Sequence, residues 1–239
     1  MVECGSHADG RACRSRVSGT TSNIVRACRG IAPPLFSLTY DDGTSAWTDA
    51  ILDEMKAHDA HGTFFVLGQA IDGDATRQET LRRIVREGSE IGNHSYHHRD
   101  LPQLSDEEIR EQLVVMQGLI TDLTGSAPMW WRPPYFRADD RVRGAIQDLD
   151  LHEIHCSINP RDWKYPAAIV VQHVLERLQP GDIVVLHDGK PPDEPPGVSL
   201  PDRLGTVQAV AAILKGASAR GMQSVTVSEL LEAAREASS

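Results

Sequence analysis

The sequence predicts an α/β protein built around one parallel sheet. Two observations carry that expectation. Seven short strand-like runs alternate with six helical patterns from residue 35 to the carboxyl end, the order that parallel sheets with crossover helices require. The residues that bear chemistry cluster just after the ends of those runs, where the active sites of parallel α/β folds gather.

The elements follow in order. The apolar and β-forming run 35–40 reads as a buried first strand, closed by Asp41-Asp42-Gly43, with Gly43 supplying a tight turn. Apolar residues at helical spacing over 48–58 predict the first helix, and Gly62 is expected to stop it before a second strand over 62–67. A helix over 76–87 ends at Gly88 and leads to a strand over 90–93. Ser105 followed by Glu108 is a capping box and opens a long helix over 105–123. Strands over 130–132, 151–157, 183–187 and 222–225 then alternate with helices over 140–149, 167–178 and 204–219. Residues 1–34 differ. Rich in Gly, Ser, Arg and Cys, without amphipathic period and ending at Pro33-Pro34, they read as a poorly structured extension before a single domain over 35–239.

Length and charge narrow the function. A chain of 239 residues buries a sizeable core in one domain. Acidic residues outnumber basic ones by 34 to 24, a net charge of −10. Residues 1–34 hold five arginines against Glu3 and Asp9, a net +3, so the remainder carries −13. Such a body does not seek nucleic acid or an anionic polymer by its field, and a neutral or basic substrate suits it better. No run of about 18 apolar residues exists to span a membrane. The amino-terminal residues lack the apolar stretch of a secretory signal, which points to the cytoplasm, or to the exterior if an export signal lies outside this sequence. Cys4, Cys13, Cys28 and Cys156 include no Cys-x-x-Cys pair, so a structural zinc site is not expected.

Adjacent carboxylates at the mouth of a strand repel each other, and a cation or a reaction is the usual reason to keep them. Strand alternation points Asp41 and Asp42 to different sides, one towards a metal and one towards a substrate. The alternative is a solvated strand end with a turn aspartate. His94 and His98 are four apart, which on a helical turn places both imidazoles on one side. With Asp42 they offer two nitrogens and one oxygen, a set for a catalytic divalent ion, while His97 points elsewhere. A His-rich surface loop is the alternative reading. Three further segments stand out: Trp131-Arg132-Pro133-Pro134-Tyr135-Phe136, a rigid turn with a guanidinium at its start; Asn159 to Trp163, an acid beside a large aromatic; and Asp182 to Asp188, an apolar strand with His187 at its end. The proline-rich stretch 189–201 follows His187 and reads as a stiff wall of a substrate site or as a plain connection.

In order and content these segments resemble the polysaccharide deacetylase family, also called carbohydrate esterase family 4 or the NodB-homology domain. The resemblance rests on Thr39-Tyr40-Asp41-Asp42-Gly43, His94-Ser95-Tyr96-His97-His98, Arg132-Pro133-Pro134-Tyr135, Asp162-Trp163 and Val185-Leu186-His187, and extends over about residues 35–231. It implies a distorted β/α barrel of seven or eight strands. It implies one bound divalent metal, zinc first, with cobalt, manganese or nickel also accepted, held by Asp42, His94 and His98. Asp41 matches the catalytic base, and Arg132 the residue that orients it. Tyr135 matches a backbone N–H donor to the oxyanion, His187 the general acid, and Asp162 the residue that tunes that acid. Trp163 and Val185 match an apolar wall near the acetyl methyl.

The implied activity is metal-dependent N-deacetylation of an N-acetylated amino sugar or small N-acetyl glycoside, releasing acetate and a free amine. Chitooligosaccharide or peptidoglycan deacetylation stands beside it. Other readings are hydrolysis of another amide or cyclic imide, an iron(II) oxygenase using the same two histidines and carboxylate, and a non-catalytic carbohydrate-binding relative. Four positions depart from the family pattern. Tyr40 replaces phenylalanine, Thr44 replaces proline and leaves a looser turn, Phe136 replaces glycine and narrows the site or enters the groove, and Asn159 replaces an acid.

Overall fold

A computed structural model describes residues 24–237, with Arg29 and Asp193 excepted. The elements, in chain order, are β1 (Leu35–Gly43), α1 (Ala46–Ala57), β2 (Gly62–Val66), α2 (Gly68–Ile71), α3 (Ala75–Arg86), β3 (Glu90–Asn93), α4 (Asp106–Thr124), β4 (Trp130–Trp131), α5 (Asp140–Gln147), β5 (His152–Glu153), α6 (Ala167–Arg177), β6 (Ile183–His187), α7 (Leu204–Ser218), β7 (Gln223–Ser224) and α8 (Val227–Glu236). Single 3-10 turns lie at Leu101–Gln103 and Pro134–Phe136.

All seven strands form one parallel sheet in the order β5-β4-β3-β2-β1-β6, with β7 pairing the start of β1. The sheet curls into a distorted barrel whose seam lies between β5 and β6. Two segments fill that seam. Residues 157–158 lie along β6, where Ile158 bridges Val184 and Val185 donates its N–H to the Ile158 carbonyl at 3.0 Å. Below them, Val25 bridges Ile154, Ala27 bridges Asp182, and the Cys28 N–H reaches the Gly181 carbonyl at 2.7 Å. Residues 24–28 are therefore part of the fold, although the sequence reading places them in the extension before residue 35. A five-residue strap is too short to show a period. Residues 1–23, with Cys4 and Cys13, lie outside the described residues.

Side-chain alternation divides the core into layers. Phe36, Leu38 and Tyr40 of β1 face outward and pack with Phe64, Val184, Leu186 and the inner faces of α1, α3, α6 and α7. Phe65, Ile154, Cys156, Ile183 and Val185 fill the interior, and Val227, Leu230, Leu231 and Ala234 of α8 pack against that cluster. A third cluster joins Trp131 to α4 and α5 through Ile109, Leu113, Val142 and Ile146. The Glu90 carboxylate accepts from Trp130 Nε1 at 2.9 Å and from Thr63 Oγ1 at 3.0 Å, and it takes the Ser228 hydroxyl and N–H at the start of α8. It thereby fastens the closing helix to β2, β3 and β4.

Caps place the helix ends. Ser105 and Glu108 form the expected capping box, and α4 stops at Gly125 in the left-handed region, φ 79°. Gly88, φ 84°, follows α3 as expected. The first helix stops earlier than expected, where Asp59 takes φ 51°. Gly62 instead begins β2, and a Cβ there would lie 2.5 Å from the Leu38 carbonyl oxygen.

Tyr40 stacks on Phe64 with ring centroids 4.6 Å apart, and its buried hydroxyl has no hydrogen-bond partner among the described residues. Burial, with the negative charges of Asp188 and Asp162 adding to it, raises its pKa well above the usual phenol value, so the hydroxyl stays neutral. An unsatisfied buried hydroxyl costs about 1 kcal/mol or more, so Tyr40→Phe is expected to raise Tm by roughly 2–4 °C in a thermal melt. A lower Tm would mean that the hydroxyl has a stabilising partner.

Candidate active site and metal centre

Asp41 and Asp42 end β1 at a register shift that opens between Asp41 and Gly43, with Asp42 at φ 74°. This bulge cancels the alternation expected for adjacent strand residues. Both carboxylates reach one site: Asp41 Oδ2 lies 4.0 Å and Asp42 Oδ1 3.5 Å from His94 Nε2. Gly43 is required by close approach more than by turn conformation, because a Cβ there would fall 2.1 Å from Asp188 Oδ2. Thr44 does not loosen the turn. It is buried, and its hydroxyl donates to the Arg77 carbonyl at 3.2 Å.

His94 and His98 meet, but by a different route from a helical turn. Residues 94–98 form a loop with Ser95 at φ 73° and His98 at φ 59°. Side chains wind it. The Ser95 N–H donates to Asn93 Oδ1 at 2.8 Å, and the His98 N–H donates to Ser95 Oγ at 3.2 Å. The imidazole centroids end 5.1 Å apart. His97 turns outward, where Gln112 holds its N–H at 2.8 Å and its Nδ1 at 2.9 Å.

Asp42, His94 and His98 are all buried and offer ligand atoms within 4.8 Å of one another, the one such cluster among the described residues. Their chemistry fits a divalent cation. His94 Nδ1 is 2.7 Å from the Arg132 carbonyl, which can only accept, so that nitrogen carries a proton and Nε2 is the atom that faces Asp42. Asp42 Oδ1 is buried with no hydrogen-bond donor within reach among the described residues, 3.5 Å from His94 Nε2 and 3.4 Å from His98 Nε2. Burial works against its charge, but His94 and His98 outweigh that and hold its pKa far below the usual carboxylate value. An ionised carboxylate beside two imidazoles is a ligand set for zinc and for several other divalent ions.

Arg132, fully buried, anchors Asp41. Its Nη1 donates to Asp41 Oδ1 at 2.7 Å and to Thr39 Oγ1 at 2.8 Å, Nε to the Ile154 carbonyl at 3.3 Å, and Nη2 to the His155 carbonyl at 3.1 Å. The guanidinium lies 4.1 Å over the Phe65 ring. Lysine cannot reproduce this planar fork. Arg132→Lys is expected to lower kcat about a hundredfold at unchanged metal content, and to cost about 1–3 kcal/mol of stability through the carbonyls left without donors. Parent-like kcat in that variant would remove Arg132 from the orientation of Asp41.

On the opposite side, His187 ends β6. Asp162 Oδ1 is 2.8 Å from His187 Nδ1, and Asp162 Oδ2 accepts the His187 N–H at 2.8 Å. Burial lowers the imidazole pKa, but the charge and hydrogen bond of Asp162, with Asp42 and Asp41 adding to them, raise it to about 9. Asn159 caps the approach to Asp162 by accepting the Arg161 N–H at 3.0 Å.

Tyr135 takes φ 56° in its 3-10 turn, is half exposed, and sets its ring edge-on to His98 at 4.6 Å between centroids. Phe136 folds towards His155, 5.1 Å between centroids, and packs on the interior cluster. Val185 is buried two residues before His187 on the interior face of β6, and Trp163 is half-buried next to Asp162. Pro192 of the proline-rich stretch joins Gln69, His97 and Arg99 in lining an open groove of about 440 Å³. A separate cavity of about 300 Å³ among Leu52, Met55, Lys56, His61 and Arg86 lies at the other end of the strands and shares no residue with the site.

Two buried residues near His187 have no motif in the sequence reading. Thr206 donates its hydroxyl to Asp162, and Arg203 donates Nε to the Gly189 carbonyl at 2.8 Å.

Comparison with known proteins agrees with this geometry. The polysaccharide deacetylase family model matches residues 31–154. A chitooligosaccharide deacetylase of Bradyrhizobium sp. (strain ANU 289) is 33% identical over 190 residues, which is 78% of this chain and 85% of that protein. The peptidoglycan-N-acetylmuramic acid deacetylase PdaC of Bacillus subtilis (strain 168) is 33% identical over 205 residues, 84% of this chain and 40% of that protein. The solved structure of B. subtilis PdaC covers 85% of this chain and 92% of its own, with a TM-score of 0.74 at 32% identity. A family 4 carbohydrate esterase from Streptomyces lividans, solved with acetate, gives 0.70 at 26% identity, covering 80% of this chain and 92% of its own. With a curled parallel sheet, a buried Asp-His-His cluster and matches of this extent, the chain belongs to the polysaccharide deacetylase family, carbohydrate esterase family 4.

Proposed function

We propose that this protein is a metal-dependent N-deacetylase that removes acetyl groups from the amino sugars of short, neutral saccharides. The observation that carries this reading is the convergence on one site of a base fixed by Arg132, a three-residue ligand set and a histidine paired with Asp162. The chitooligosaccharide deacetylase, matched over most of its length, supports an oligosaccharide substrate. The negative charge of the body disfavours an anionic polymer.

Asp42, His94 and His98 would hold the ion, which when bound lowers the pKa of a water and polarises the acetyl carbonyl. Asp41 accepts the proton of the attacking water while Arg132 keeps its carboxylate aimed. The new C–O bond places negative charge on the carbonyl oxygen, towards which the Tyr135 N–H donates. His187 holds its Nδ1–H on Asp162 and gives its Nε2 proton to the sugar nitrogen as the C–N bond breaks. Acetate and a free amine leave. Val185 and Trp163 supply apolar surface for the acetyl methyl.

The test is acetate release from chitooligosaccharides and small N-acetylglucosamine glycosides, with and without chelation. Chelation is expected to lower the rate at least about a hundredfold, and added zinc to restore it. No acetate from any of these substrates at full metal occupancy would favour a binding protein. Dioxygen uptake with an oxoacid would favour an oxygenase.

A further inference from the structure

The first turn of α7 grips both strands of chain that present His187. Thr206 Oγ1 donates to Asp162 Oδ2 at 2.7 Å, the oxygen that also accepts the His187 N–H at 2.8 Å. The other carboxylate oxygen faces His187 Nδ1 at 2.8 Å. Thr206 and Asp162 are both buried. A threonine this close to a helix start commonly caps its own backbone, but α7 has no side-chain cap at Arg203, and the Thr206 hydroxyl is turned to the carboxylate instead. Three residues earlier Arg203, also buried, takes the Gly189 carbonyl at 2.8 Å. Gly189 sits two residues past His187 and so close to β1 that a Cβ would fall 1.9 Å from the Asp42 carbonyl oxygen. One helical turn thus fixes the carboxylate behind the imidazole and the chain that leaves it.

Two donors from His187 alone leave Asp162 Oδ2 a single partner. The hydroxyl gives that oxygen a second, charge-assisted bond, which resists rotation of the carboxylate and so holds the oxygen that faces the imidazole in place. We propose that Thr206 is a positioning residue for the general acid, acting through Asp162 on His187. This rests on the reading of His187 as the acid that protonates the leaving nitrogen.

The experiment compares Thr206→Val and Thr206→Ser with the parent on an N-acetylglucosamine oligomer and on an aryl acetate, in metal-loaded protein of measured metal content. The aryl oxide leaves without a proton, so it does not draw on the acid. For Thr206→Val, kcat on the amide is expected to fall about tenfold, the worth of one hydrogen bond to a charged group, with KM within about twofold of the parent. On the aryl acetate the change should stay within about twofold, and Thr206→Ser should recover most of the amide rate. If Thr206→Val does not fold, Thr206→Ala carries the same comparison. Equal losses on both substrates, an unchanged amide rate, or no recovery with serine would overturn the proposal. His187→Ala run beside them separates the two levels. If it loses both substrates equally, the acid assignment falls and this inference with it. If it is selective for the amide while Thr206→Val is not, this inference alone falls.

Discussion

Asp41→Asn is expected to retain its metal and to lose about 10³-fold in kcat, because an amide cannot take the proton of the attacking water. The geometry makes the separation clean. Asp41 is tied to Arg132 at 2.7 Å, and its other oxygen stands 4.0 Å from His94, whereas Asp42 lies within 3.5 Å of both histidines. Asp42→Asn should therefore weaken metal binding first, with turnover partly recovered at high metal concentration. Metal titration followed by acetate release distinguishes the two. Rescue of Asp41→Asn by excess metal, with none for Asp42→Asn, would reverse the assigned roles.

His187→Ala should be the second large loss, about 10²- to 10⁴-fold on amides and much smaller on an aryl acetate. The pH profile carries the same chemistry. Burial opposes the charged imidazole, but Asp162 outweighs it and holds the pKa near 9, so the acid form persists through neutral pH and is depleted as pH rises past that value. Asp162→Asn removes the opposing charge, and the basic limb of the rate profile should move to lower pH at near-normal metal content. The folded pKa is raised above the ordinary value of 6.5, so the contribution of this pair to stability is complete below about 6.5 and is lost as pH climbs through about 9. Denaturant midpoints of metal-free protein across that window should fall in the parent and flatten in Asp162→Asn. A parent midpoint that stays level from pH 6 to 10 would contradict the pairing.

Much of the frame is legible in the sequence. The runs at β3 and β6 are short and bounded by turn signals, β6 being apolar as well, and strands form there over the expected residues. Of β4, β5 and β7 only two residues each enter the ladder, because the barrel bends away before longer pairing can form. The closing helix α8 is absent from the sequence reading although Thr226 and Glu229 make a capping box, the same signal that locates α4. In the site, metal-ligand chemistry identifies His94 and His98, but spacing misstates how they meet. Their approach depends on two positive-φ residues held by Asn93 and Ser95 side chains, which no periodicity encodes. Thr206 and Arg203 lie in an otherwise ordinary helix start, and only the tertiary contact with Asp162 and Gly189 distinguishes them.

The strap at residues 24–28 bears on how this domain behaves when cut or fused. It covers backbone groups that would otherwise form raw sheet edges: the Glu153 carbonyl and the His155 N–H on one side, and the Gly181 carbonyl on the other. Cys28 and Val25 also bring apolar surface to the interior cluster at the same place. A version trimmed to the family-matched start at residue 31 would keep every residue of the candidate site yet present two uncapped β edges beside an apolar gap. Exposed edges of that kind template pairing with another molecule. A trimmed chain is therefore expected to lose solubility before it loses chemistry, which light scattering of the trimmed and full proteins at equal concentration would check.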